Sequence, residues 1–182
     1  MKTFKDLLIE LNACGPAIVW AEDKNIEEVL RDSYRGDWLL WLAKKLDLPL
    51  NKLTLAKARC AKTVIHLMKD KRSVDAVNVA EKFGLDECTL EELNNAYDDA
   101  ADAAADAAAA AAVYAAAAAA AADAAADAVY DAAYAAAADA AADAAAAAAV
   151  YARKNNQQHT SDICVEILGQ LLIDAVNNNL KK

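Results

Sequence analysis

Apolar residues recur every three or four positions through most of the chain and nowhere alternate long enough to demand a strand. The pattern predicts an all-α fold: a compact multi-helix bundle with short N-terminal helices and closely packed, alanine-rich antiparallel helices. One domain is expected over 1–182, with short helices in 1–88 and alanine-rich helices plus a C-terminal amphipathic helix in 89–182. Thr3 is placed to cap a helix whose Phe4, Leu7, Leu8 and Leu11 share a face, with Asp6 returning the bond. Gly15-Pro16 ends it and opens a second helix carrying Ile18, Val19 and Trp20. A third is expected over Ile26 to Tyr34, stopped by Gly36. Asp37 reads as the N-cap of the next, with Trp38, Trp41, Leu42 and Leu46 at helical spacing. The two tryptophans read as core anchors, and Asp37 as a cap rather than a catalytic acid.

Asp47-Leu48-Pro49 breaks the chain. A longer helix then carries Leu53, Ala56, Cys60, Val64, Leu67 and Met68 on one stripe, with Lys52, Lys57, Arg59, Lys62 and Lys69 mostly outside it. Ser73 is expected to cap a helix with Val74, Val77 and Phe83 that stops at Gly84. Thr89 and Glu92 have the spacing of a capping box, so another helix starts there. After Arg153-Lys154 the run Asn155 to His159 is polar. A last helix follows with Ile163, Ile167, Leu171 and Val176 on its face, Cys164 and Leu168 flanking, and a frayed end from Asn177 to Lys182.

Composition changes the picture most between Ala96 and Ala152, where 40 of 57 residues are alanine and the rest are nine Asp, five Tyr and three Val. Those nine Asp carry the whole formal charge of −9. Alanine has the strongest intrinsic helix propensity, but one rod from Leu90 to Arg153 would reach about 96 Å and leave its faces wet. The tract is therefore expected to fold back into two or three antiparallel helices whose methyl faces approach closely. A repeat supports this: Asp102-Ala-Ala-Ala-Asp106, six alanines and Val113-Tyr114-Ala115 recur from Asp139 to Ala152, with a shortened copy at Asp123 to Tyr130. Acids favour helix N-termini, so helices are expected to begin near Asp98, Asp123 and Asp139. Tyr97, Tyr114, Tyr130, Tyr134 and Tyr151 then plug gaps between helices, or form a recognition face.

The same composition excludes several functions. An acidic field with no basic stripe does not fit free nucleic acid. Asp recurs about every four residues in the tract, where each buried charge would cost about 3 kcal/mol in a bilayer, so no membrane span is expected. No basic and apolar leader follows Met1, and Cys14, Cys60, Cys88 and Cys164 lie in neither a metal spacing nor a disulfide framework. A cytoplasmic protein with reduced, mostly buried thiols is expected. His66, beside an apolar stripe, reads as a structural histidine, and His159 lies beside a polar loop. No phosphate-cradling loop, zinc spacing or nucleophile–base pair is present, and paired Asp on a regular helix read as a solvated face. The expectation is no enzyme, no cofactor and no metal.

Ala13-Cys14, Trp20, Gly36-Asp37-Trp38-Leu39-Leu40-Trp41-Leu42, Leu55-Ala56, Ala58-Arg59-Cys60-Ala61, the punctuated alanine tract and Asp162-Ile163-Cys164 follow one another in an order that resembles the alanine-rich immunity proteins of bacteria and phages. Those proteins belong to polymorphic toxin systems. Tyr and Asp stand here where that family carries more Trp and some Arg. The resemblance implies a small intracellular protein that neutralises a protein toxin by binding it. An acidic inhibitor suits a basic toxin, which places the partner surface on Asp98, Asp102, Asp106, Asp123, Asp127 and Asp131. The protein is expected to be a monomer or weak homo-oligomer. The alternative is a structural or self-assembling scaffold in which alanine faces zip between chains. Ice binding is disfavoured because threonine is absent from the tract, and no convergent polar group recommends a small-molecule carrier.

Overall fold

Side chains that close helix ends set most boundaries in the N-terminal half. In the computed structural model, which describes residues 2–68, 70–110 and 146–181 (with 67, 103–110 and 146–154 as backbone only), the described residues form eight α-helices and no strand. α1 (Phe4–Glu10) opens where the Thr3 hydroxyl accepts from the Asp6 amide and the Asp6 carboxylate accepts from the Thr3 amide, as expected. α2 (Gly15–Trp20) starts with Pro16 in its first turn. α3 (Ile26–Asp32) carries a second box, Asn25 with Glu28, that the sequence reading passed over.

α3 stops two residues early because Ser33 is extended, and Gly36 opens α4 (Gly36–Lys45) instead of ending α3. Asp37 is therefore not the N-cap. It lies in the first turn of α4, where Arg35 donates to both its carboxylate oxygens at 2.7 and 2.6 Å. Asp47, at φ 52°, and Pro49 then turn the chain into α5 (Leu50–Lys62). Leu53, Ala56 and Cys60 are buried as expected, but α5 ends before Val64, and His66 lies exposed on a 3₁₀ turn (Ile65–Leu67) rather than beside a core stripe. Lys57 also departs from expectation, being only 6% exposed. Residues 53 to 58 are all buried, because α5 has α4 and α8 on one side and α6 on the other.

α6 (Lys71–Gly84) is capped by Asp70, whose carboxylate accepts from the Arg72 amide, and not by Ser73. It ends at Gly84 as expected. A Cβ there would lie 2.7 Å from Leu55 Cα and 2.8 Å from Leu55 N, so the missing side chain lets α6 sit against the α5 backbone. α7 (Leu90–Ala110) begins at the Thr89–Glu92 box and packs on α6. Asp98 lies within α7, so it marks no helix start there.

α8 (Ala146–Leu180) runs without a break through Asn155–His159 and on to Leu180, correcting both the polar interruption and the frayed end. The polar run belongs to the helix because its side chains are used. Gln158 Nε2 donates to the Ser33 carbonyl at 3.2 Å, and the Thr63 hydroxyl lies 3.0 Å from Asn156 Oδ1. The buried stripe is Ser161, Cys164, Leu168, Leu172 and Val176, with Ile163, Ile167 and Leu171 half-buried beside it. The expected face was thus turned by about one residue, roughly 100°. This stripe packs on α1, α3, α4 and α5 and forms the centre of the core. A Cβ on Gly36 would lie 2.7 Å from the Thr160 carbonyl carbon, so α4 begins directly on the α8 backbone. The expected helix starts near Asp123 and Asp139, the corners of the alanine tract, the mutual packing of its helices, and the side chains of Tyr114, Tyr130, Tyr134 and Tyr151 all lie outside the described residues.

Candidate functional site

Two surfaces carry recognition chemistry. The first is the outer face of α7. Leu93 and Ala100 are its buried positions, and Tyr97, half-buried, lies on the same side. Asp98 and Asp102 are each two residues from Ala100, about 200° round the helix, and both are exposed. Glu91, Glu92 and Asp99 are exposed as well, and α7 contains no basic residue. Asp106 is described only as backbone within α7, and Asp123, Asp127 and Asp131 lie outside the described residues. The structure thus brings Asp98 and Asp102 together on one solvent-facing row.

The second surface gathers the tryptophans, of which the sequence reads Trp38 and Trp41 as core anchors. All three tryptophans line one cleft of about 400 Å³ between α1, α2 and α4, together with Phe4, Leu8 and Lys57. Trp20 and Tyr34 meet edge to face at 6.0 Å, Trp20 and Trp38 lie 5.8 Å apart, and Tyr34 and Trp38 6.0 Å. The Arg35 guanidinium sits 4.8 Å above Trp38, and Lys24 lies 5.2 Å from the Trp20 ring centre. Trp38 and Trp41 are half-buried, so they are walls of the cleft more than anchors of the core. The signal for this lay in Tyr34 and Trp38, four apart and flanking Arg35 and Asp37. Fixed charges beside aromatic rings favour a position where one edge stays wet.

No protein-family model, curated protein or solved structure matches the chain. What these surfaces can do therefore rests on their own chemistry. His66 and His159 are both exposed and stand on different elements, the 3₁₀ turn and α8. Cys14 is exposed at the cleft. Among the described residues no three His, Cys, Asp or Glu side chains gather where an ion could be held. No helix among them is long and apolar enough to cross a membrane. No buried side-chain nitrogen or oxygen among the described residues lacks a hydrogen-bond partner. The arrangement offers charge and aromatic contact to a partner.

Proposed function

We propose that the protein is a non-catalytic inhibitor of the immunity type, which binds and neutralises a basic protein toxin through the acidic outer face of α7. One observation carries this reading: Asp98 and Asp102 stand exposed on a helix without a single basic residue, opposite its packed side. A one-sign surface of this kind draws a basic partner in and speeds encounter more than it tightens the final complex. The Gly36–Leu42 segment, which carries the sharpest part of the resemblance, folds as α4 and lines the aromatic cleft. Trp, Tyr and Arg are the residue types that dominate binding energy at protein interfaces, so the cleft is the second contact region in this reading.

The test is stopped-flow association with the protein product of the neighbouring reading frame, where a cognate toxin is expected, over a range of salt concentrations. Replacing Asp98, Asp102, Asp106, Asp123, Asp127 and Asp131 by Asn is expected to slow association about tenfold or more at low salt and to flatten its salt dependence. Unchanged kinetics would exclude the acidic face while leaving the cleft to be tested by Trp38→Ala. Failure of the unaltered protein to bind or inhibit that toxin would sink the immunity reading itself.

A further inference from the structure

Cys60 on α5 and Cys164 on α8 are separated by 104 residues, yet their sulfur atoms lie 3.8 Å apart. Both are wholly buried. Each thiol also has a carbonyl to donate to: Cys60 faces the Thr160 oxygen at 3.7 Å and Cys164 the Gly36 oxygen at 3.6 Å. The pair therefore sits where α4, α5 and α8 meet, beside the close approach of Gly36 to the α8 backbone. Cys14 is exposed at the aromatic cleft, and Cys88 is half-buried in the connection between α6 and α7, with its sulfur toward the Val79 carbonyl.

We propose that Cys60 and Cys164 are a covalent modification site, a dithiol that low-molecular-weight disulfides convert to an intramolecular bond joining α5 to α8. One cysteine thiolate attacks a sulfur of the small disulfide and expels one small thiolate, giving a mixed disulfide. The second cysteine thiolate then attacks the protein sulfur and expels the other. Two electrons pass from the cysteine pair to the small disulfide, and the two protons leave with the released thiols. The first exchange needs α8 to lift from α5, because neither sulfur is accessible in the closed structure. The sulfur contact shared with Cys60, and then burial, hold Cys164 in its thiol form, well above the ordinary cysteine range, which slows exchange further. The second exchange needs only the native approach of the two helices. Bond formation is thus gated by opening of the core and, once complete, closes the loop that contains the alanine tract.

The experiment uses full-length protein with Cys14→Ser and Cys88→Ser, which leaves the buried pair alone. It is incubated in native buffer with glutathione disulfide, denatured, alkylated and weighed. The expected product has lost two hydrogen atoms, takes up no alkyl group and yields a linked Cys60–Cys164 peptide. Its thermal midpoint is expected to rise by several degrees, because a long loop has been closed, and to return on reduction. In the unaltered protein the link is expected to form about tenfold or more slowly than glutathione couples to exposed Cys14. Recovery of Cys60 and Cys164 as alkylated thiols after long native incubation would overturn the proposal. So would a link that forms only in denaturant.

Discussion

From Cys164 to Val176 every fourth residue of α8 is buried without exposed surface, whereas α7 buries only Leu93 and Ala100 among its described side chains. The two helices are long for different reasons. α8 carries a polar run and three consecutive asparagines that would not hold a helix alone, and its side chains are met by α1, α3, α4 and α5. α7 is rich in the residue that loses least on becoming helical, and it rests on α6. Tertiary packing stabilises one helix and intrinsic propensity the other. The difference divides the labour: the packed helix fixes the fold, and the alanine-rich one presents carboxylates without needing the core to order it.

The largest break in that contrast should come from the α8 stripe. Leu168→Ala empties a site with no exposed surface and is expected to cost about 2–5 kcal/mol in denaturant unfolding. Leu93→Ala on α7 should fall below it, because Leu93 lies outside the main core cluster while Leu168 sits within it with no exposed surface. Equal losses would show that α7 is as dependent on packing as α8.

Glycines sharpen the contrast at a smaller scale, because two of them are contacts and one is a gap. Alanine at Gly84 or Gly36 places a methyl within 2.9 Å of neighbouring backbone, on α5 and α8 respectively. Each should cost about 1–3 kcal/mol by forcing helices apart. Gly169, inside α8, would meet only Val165 and Leu30 side chains at 3.7 and 3.9 Å. Its replacement by alanine should stabilise by about 0.5–1 kcal/mol, through helix propensity alone. Thermal midpoints would report the opposite signs, and destabilisation at Gly169 would mean that the α8 core has no slack.

What the sequence made legible follows the same division. Local chemistry was readable: Thr3 with Asp6, Thr89 with Glu92 and Pro16 in a first turn all act within a few residues. Features set by distant partners were not. Gln158 reads as loop until Ser33 is found beneath it, and Lys57 reads as surface until α5 proves enclosed on both sides. Asp37 reads as a cap because the extended Ser33, which shifts the start of α4 to Gly36, is invisible to pattern. The α8 face was misjudged by about one residue since Ile163, Ile167 and Leu171 make as good a stripe as Cys164, Leu168 and Leu172. Of the candidate site, the acidic row was legible from its spacing. The cleft was hidden because tryptophan is more commonly core, and its exposure depends on how α2 and α4 meet.

Acid supplies the finest test. Hydrogen bonds from the Thr89 amide and hydroxyl hold the Glu92 carboxyl below its usual range, and the corresponding groups of Thr3 do the same for Asp6. A carboxyl that is more acidic in the folded state binds fewer protons there than in the unfolded chain. Its contribution is therefore fully present above the ordinary carboxylate range and is lost as pH falls through the lowered folded value. The first turn of α7 should loosen in that window, while α8 between Thr160 and Val176, which hangs on no acidic cap, should hold. Amide chemical shifts of Leu90 to Leu93 ought to move toward coil values below about pH 4, with those of Leu168 and Leu172 unmoved. Thr89→Ala removes the hydroxyl's hydrogen bonds to and from Glu92 and leaves the amide's, so its destabilisation at neutral pH should shrink in part as the pH falls and Glu92 gains its proton in either protein. A Thr89→Ala penalty that stayed constant across the titration would show that the Glu92 carboxylate draws nothing from the Thr89 hydroxyl, leaving the amide as its one partner in the cap.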